Sequence, residues 1–235
     1  MKTAGCVGEE KMSSYDVMLA GPGETRAVLD FVTEHFIPHE PINAAIKLVE
    51  PGYRMPYFDS WLESQLILED TVTVVARDSQ TRQMLGVCIL EMERIKIKAS
   101  APQPAEPNLS PSYSVCPEKL KKIFTFLDWM KEDLDVARDY GVEEWADVMI
   151  LACRSDLRTP GLGTELVRRG LEIMEERGVK VFTGTATSHY SARIFSKLGF
   201  STLKECLYED YKVDDGHILF PPSPPHISAK QFIKT

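Results

Sequence analysis

The residues best suited to chemistry in this 235-residue chain follow an apolar run, Val148-Met149-Ile150-Leu151-Ala152-Cys153. The run leads into Arg154-Ser155-Asp156-Leu157-Arg158-Thr159-Pro160-Gly161-Leu162-Gly163-Thr164, after which helical periodicity begins. Arg-x-x-Gly-x-Gly therefore spans the end of a strand and the first turn of a helix. Gly161 and Gly163 carry no side chain, so the backbone there can approach an anion closely. The first amide hydrogens of a helix lack partners within it and lie at the positive end of its dipole, which suits a pyrophosphate. Arg158 adds a cation capable of charge-assisted hydrogen bonds. Two well-known phosphate loops are excluded by detail. No Gly-Lys-Ser/Thr ending occurs, and Leu166 stands where Gly-x-Gly-x-x-Gly needs its third glycine. On these residues alone, an anion cradle and an ordinary glycine turn both stand.

The elements that must position this turn follow from periodicity. Residues 24–36 carry a helical stripe (Val28, Phe31, Val32, His35/Phe36) after Pro22-Gly23, and residues 57–69 read as a second helix. Residues 71–77 and 84–93 are rich in Val, Ile and Leu on either side of a polar turn, which predicts a β-hairpin. Leu120, Ile123, Leu127, Met130, Leu134 and Ala137 recur at steps of three and four, the pattern of one long amphipathic helix. Strands are expected at 147–153, 179–185, 201–212 and 226–234, with helices at 162–177 and 190–198. Proline-rich stretches at 95–117 and 220–226 read as loops. The mixed order predicts an α/β or α+β fold, helices packed on a mostly antiparallel sheet, in one domain spanning 1–235 with a flexible start at 1–13 and a long loop at 95–117.

Two spaced motifs carry a resemblance. Arg158-x-x-Gly161-x-Gly163 between strand and helix resembles the acyl-CoA pyrophosphate loop of the GCN5-related N-acetyltransferase (GNAT) superfamily, and Ser191-Ala192-Arg193-Ile194-Phe195-Ser196-Lys197-Leu198-Gly199-Phe200 resembles that superfamily's later segment. His35-Phe36-Ile37-Pro38-His39-Glu40-Pro41-Ile42-Asn43, Ser188-His189-Tyr190-Ser191-Ala192-Arg193 and the tail Phe220-Pro221-Pro222-Ser223-Pro224-Pro225-His226 are similar to insect arylalkylamine N-acetyltransferase-like enzymes. The resemblance covers the chain from about Tyr15 to its end. It implies the GNAT fold and acetyl transfer from acetyl-CoA, as co-substrate, to an amine of the dopamine, tyramine or serotonin type. Agmatine, polyamines or another small amine are the alternative acceptors, and a non-catalytic CoA-binding module is a third reading.

The resemblance also implies roles. Glu40 maps onto the general base, working through water, and its neighbours Phe36, Pro41 and Ile42 form an apolar setting that raises a carboxylic acid's pKa. As an acidic residue before Pro41 it equally suits the cap of a short helix. The superfamily's usual tyrosine acid is replaced by Phe195, which has no proton to give. Ser191, with Thr187 as its weaker partner, takes its place, and both also suit helix capping; Tyr190 ranks below them. Ala152 and Cys153 would pair their backbone groups with pantetheine amides. Pro160, Leu162, Gly163 and Thr164 belong to the loop that would meet the phosphates, and Lys197 would meet the adenosine or be a solvated helix charge. An acyl-cysteine at Cys153 is the minor route, since buried strand cysteines are usually inert. Acceptor-pocket candidates are Tyr53-Arg54-Met55-Pro56-Tyr57-Phe58 and the loop 95–117, against an ordinary packing role for both.

Composition narrows the partners. With 27 Lys plus Arg against 35 Asp plus Glu, the formal charge of -8 argues against nucleic acid or an anionic membrane and mildly favours cationic ligands. No apolar stretch approaches the roughly 18 residues of a membrane span, and residues 1–14 lack a secretory apolar core, so a cytoplasmic location is expected. The five cysteines (Cys6, Cys88, Cys116, Cys153, Cys206) form no CxxC pair, and the five histidines show no ligand spacing, so no metal is expected. A monomer acting on a small-molecule amine is the simplest expectation.

Overall fold

The computed structural model describes residues 14–50, 53–95, 116–157, 159–213 and 216–235. In chain order the elements are β1 (Tyr15–Leu19), α1 (Thr25–His35), α2 (Pro41–Ala45), α3 (Pro56–Leu66), β2 (Thr71–Asp78), β3 (Met84–Arg94), α4 (Glu118–Lys131), α5 (Val136–Tyr140), β4 (Glu144–Cys153), α6 (Leu162–Glu176), β5 (Phe182–Ala186), α7 (His189–Lys197), β6 (Ser201–Leu207) and β7 (Ser228–Lys234). All seven strands join one sheet in the order β1-β2-β3-β4-β5-β7-β6. Every pairing is antiparallel except β4 with β5.

Alternation along the strands sends side chains to two cores. On one face Val75, Val87, Ile89, Ile150 and Ala152 meet α1, α3 and α4 through Val28, Leu62 and Phe126. On the other, Val74, Cys88, Leu90 and Val148 meet α6 and α7 through Leu166, Val167, Met174 and Phe195. Each large aliphatic side chain buried in this way contributes about 1.5–3 kcal/mol. Helix α6 is amphipathic, with buried residues recurring at Leu162, Leu166, Val167, Leu171 and Met174.

Several expectations need correction. The stripe at 120–137 forms two helices, because α4 ends at Lys131 and Asp135 caps α5 by accepting the Arg138 N–H at 3.1 Å. A short acceptor side chain able to satisfy a helix-start amide wins over a continuing hydrophobic period. The strand expected at 201–212 stops at Leu207, and Asp210 N–H turns back to the Leu207 carbonyl. The strand expected from Val179 begins at Phe182, because Val179 N–H closes the end of α6 on the Met174 carbonyl. Strand β1 was not anticipated; it is a five-residue edge strand paired only with β2, too short to show a clear period. The loop at 95–117 and the segment 1–13 fall almost entirely outside the described residues.

Candidate active site

The parallel pair at the middle of the sheet is where the site arises. Strand β4 pairs with β5 only at Ala146↔Phe182 and Asp147↔Thr183, although β4 continues to Cys153 and β5 to Ala186. Beyond Asp147 the two strands separate. On its other side β4 stays paired with β3 to Gly86↔Cys153, with a register shift between Ile89↔Ile150 and Leu90↔Val148 that places the bulge at Met149. The edge of β4 that faces β5 is therefore left without a strand partner from Val148 onward. A cavity of about 280 Å³ opens in this wedge, and β4 lines it with Val148, Met149, Leu151, Ala152 and Cys153.

At the mouth of the wedge stands the glycine turn. Gly161 has φ +83, the left-handed region that favours glycine, and forms the cap position of α6. No side chain caps this helix; the Leu162 N–H donates to the Thr159 carbonyl at 3.2 Å. Gly163 lines the cavity, and a Cβ on it would lie 2.9 Å from Ile194 Cδ1 of α7, so the two helices approach here because the side chain is missing. Leu162 is buried in the core and Pro160 is exposed. Thr164 lies half-buried in the same first turn. Arg158 lies outside the described residues. The neighbouring Arg154 is already engaged, its guanidinium bonded to Asp156 and to Gln83.

Glu40 enters from the opposite side. It is the cap of α2, extended at φ -67 and ψ 131 with Pro41 as the first helical residue, and its Oε2 accepts the Asn43 N–H at 2.8 Å. Capping occupies only that oxygen. Oε1 is buried and finds no hydrogen-bond partner among the described residues. Burial pushes the Glu40 carboxyl above the ordinary carboxylate range, and interaction with Thr187 and the amides of Asn43 and Ile42 counters that only in part. The capping and buried-acid readings of Glu40 thus describe two oxygens of one group.

The segment between β5 and α7 completes the wall. Thr187, Ser188, Tyr190, Ser191 and Phe195 all line the same cavity as Glu40. Ser188 is the cap of α7, a role sequence reasoning had offered to Thr187 and Ser191. Ser191 N–H donates to Ser188 Oγ at 3.0 Å and Ser188 N–H to Ser191 Oγ at 3.3 Å, a capping box. Ser191 therefore caps as well as lining the cavity. Phe195 is 2% exposed and stacks on Phe200 at 4.9 Å, with Phe232 edge-on at 5.4 Å. Lys197 is exposed at the far end of α7 and lines no part of the cavity. Cys153 does line it, but burial pushes its thiol up to about 12, far from the thiolate an acyl-cysteine needs.

Sequence reasoning missed the imidazoles. His35, His39 and His226 line the cavity with Phe36 and Tyr190. His226 Nδ1 accepts the His189 N–H at 3.2 Å and its ring meets Tyr190 at 5.3 Å, so the proline-rich tail loop is tied to the start of α7. Burial lowers the pKa of His35 and of His226. The signal was present as scattered single histidines, but nothing in their spacing showed that the fold would gather them. The proposed acceptor residues Tyr53–Phe58 do not line this cavity: Phe58 is core, Arg54 pairs with Asp30 and Asp59, and Tyr53 faces a groove on the outer side of α1. Among the described residues no cluster is arranged to hold a metal ion, and no helix is long and apolar enough to cross a membrane.

The architecture has solved counterparts. Arylalkylamine N-acetyltransferase 2 from Aedes aegypti superposes with a TM-score of 0.83 at 25% identity, covering 94% of this chain and 98% of that one. Mosquito arylalkylamine N-acetyltransferase like 5b gives 0.76 at 25% identity, covering 94% and 99%. The chain has the GNAT fold. Its structural neighbours are insect arylalkylamine N-acetyltransferases. A polyamine N-acetyltransferase of Drosophila melanogaster that forms N-acetylagmatine shares the fold at TM-score 0.73 and 21% identity, covering 94% of this chain and 99% of that one. No family model matches the sequence. Within the GNAT fold, the separated β4–β5 pair, the glycine turn and the acid-bearing α1–α2 connection converge on one cavity in this chain.

Proposed function

We propose that the protein is an acetyl-CoA-dependent N-acetyltransferase acting on arylalkylamines by direct attack within a ternary complex. The observation that carries this reading is the buried Glu40 oxygen without a partner, in the cavity that the unpaired edge of β4 and Gly163 also line. The pantetheine arm of acetyl-CoA lies along that edge as an added strand, bonded to main-chain groups at Ala152 and Cys153. Its pyrophosphate sits on the first turn of α6, at Pro160–Thr164, with Arg158 as the cation and Lys197 outside, towards the adenosine.

The chemistry then follows from the groups present. An alkylammonium of pKa about 10 is not nucleophilic, so its proton must leave first. Glu40 takes it, through a bridging water, and its raised pKa makes it a stronger base than a free carboxylate. The amine nitrogen attacks the thioester carbonyl, and β4 amides on the open edge stabilise the oxyanion. Collapse breaks the C–S bond, and the second proton of the attacking nitrogen is relayed through the Ser191 hydroxyl, with Thr187 beside it, to the departing thiolate. This leaves a neutral amide, a free CoA thiol and Ser191 in its starting state. A general base of this kind contributes about 10²–10⁴-fold.

The choice of acceptor rests on what lines the cavity. Among the described residues Glu40 is its one carboxylate, so a second ammonium, as in agmatine or spermidine, finds no partner there. Phe36, Tyr190 and the imidazoles offer flat surfaces to an aromatic ring instead, and imidazoles of lowered pKa carry no charge to repel the incoming amine. The test is thiol release from acetyl-CoA with tyramine, dopamine, serotonin, histamine, agmatine and spermidine. Turnover led by the aromatic amines is expected. Turnover confined to agmatine or spermidine overturns the acceptor class, and CoA binding without release from any amine overturns catalysis.

A further inference from the structure

The last rung of the parallel pair carries a buried side-chain bond that the mechanism leaves unused. The sheet divides into two halves, β1-β2-β3-β4 and β5-β7-β6, and among the described residues the ladder between them has two rungs, Ala146↔Phe182 and Asp147↔Thr183. Every other neighbouring pair of strands shares at least five. At the second rung Thr183 Oγ1 donates to Asp147 Oδ1 at 2.6 Å, and Lys131, the last residue of α4, donates to Asp147 Oδ2 at 2.9 Å. Both Thr183 and Asp147 are buried. A hydroxyl–carboxylate bond of this length belongs to the strong, charge-assisted class. One residue further on, Val148 lines the cavity. Across the gap, the Cβ that Gly184 lacks would stand 2.9 Å from the Phe195 ring and 3.5 Å from Val148 Cβ. Packed side chains thus oppose closing of the gap, while the bond below them opposes its opening.

We infer that Asp147 and Thr183 are positioning residues for the donor: their side chains clasp the two half-sheets at the fork, set the angle of the wedge and so hold its walls at the spacing acetyl-CoA needs. Two rungs of a parallel ladder are a weak joint on their own, since parallel pairing is the less stable kind per residue. The clasp strengthens that joint at the point where it ends. Lys131 braces it from the α4 side and also lies 3.8 Å from Glu93 of β3, so the carboxylate is anchored to its own half-sheet and reaches across to the other. A ligand seated in the wedge touches Leu151 and Ala152 on one half-sheet and Thr185 on the other. Splaying at the fork would part these walls, and a misplacement of about 1 Å at such a site is costly. The identity of the ligand rests on the proposed function; the clasp itself rests on the geometry.

The test is calorimetric titration of CoA into the wild type, Thr183→Val and Thr183→Ser. Valine keeps the shape and loses the hydroxyl, whereas serine keeps the hydroxyl. CoA affinity is expected to fall about three- to tenfold in Thr183→Val and to stay within about twofold of wild type in Thr183→Ser. KM for acetyl-CoA should rise in step while kcat holds within about twofold, because a smaller folded fraction would lower kcat and leave KM alone. Amide exchange should quicken at Ala146, whose N–H donates to the Val181 carbonyl at 3.0 Å, and not along the β2–β3 ladder. Asp147→Asn keeps an acceptor for Thr183 but gives up the charge pair with Lys131, so it should weaken CoA binding by less; it carries the test if Thr183→Val does not fold. Unchanged CoA affinity, or a loss of kcat at constant KM, overturns the inference. A wild type that binds no CoA defeats the functional reading instead, and exchange at Ala146 still decides the clasp.

Discussion

Along one wall of the cavity, β4 and the first turn of α6 present main-chain groups, Gly163 and apolar side chains. Along the other, the α1–α2 connection and the β5–α7 connection present a buried carboxylate, hydroxyls and imidazoles. The first wall works by shape and by backbone atoms that almost any residue supplies, so it tolerates change except where a side chain must be missing. The second works by residue identity. A cavity built in this way separates donor binding from proton transfer, and substitutions on the two walls should fail differently.

The largest difference is expected at Glu40. Glu40→Gln should lower kcat by about 10²-fold or more while leaving CoA affinity within about twofold, measured by thiol release and calorimetry. The same change should not lower stability at alkaline pH. Glu40 has a raised pKa in the folded protein, so its contribution to stability is full below the ordinary carboxylate value and is lost as pH rises through the raised one. Thermal melts of Glu40→Gln near pH 8 should therefore match or exceed the wild type. A wild-type melting temperature well above the variant's would contradict that sign.

Gly161→Val should do the converse. A β-branched residue at φ +83 costs on the order of 1–3 kcal/mol of backbone strain, which should weaken CoA binding about tenfold and leave the pH midpoint of turnover where it was. A change in the midpoint would mean the two walls are not independent. Next in size, Ser191→Ala and Ser188→Ala each remove half of the capping box and should each cost about 1 kcal/mol of stability. Only Ser191→Ala should also slow turnover, by about tenfold. Equal activity in both variants would reduce Ser191 to a cap.

These two walls were unequally legible in the sequence. The donor wall announced itself because a glycine pair between an apolar run and an amphipathic period is a local signal, and the structure places Gly161, Gly163, Ala152 and Cys153 along one strand–turn–helix. Glu40 and Ser191 were readable only through resemblance. Their meeting depends on a sheet order, β4-β5-β7-β6, that brings residues far apart in the chain to one wedge. The histidines were not readable at all, since the meeting of His35 with His226 is a product of tertiary packing. The broken helix at 131–136 failed for a local reason: one capping aspartate outweighed a hydrophobic stripe.

The smallest expected effect sits outside both walls. Lys197→Ala should weaken CoA binding by about two- to threefold at low salt and by nothing measurable near 0.5 M, because an exposed charge is screened. A loss that persists in high salt would move Lys197 into direct contact with the nucleotide.

The most direct test of the account is the pH profile of kcat/KM for acetyl transfer to tyramine, from pH 5 to 9, in the wild type and in Glu40→Gln. A base buried as Glu40 is must lose its proton to act, so activity should fall as pH drops through a midpoint above the ordinary carboxylate range, and that limb should vanish in the variant. A limb at the same midpoint and of the same depth in Glu40→Gln would show that another group takes the proton.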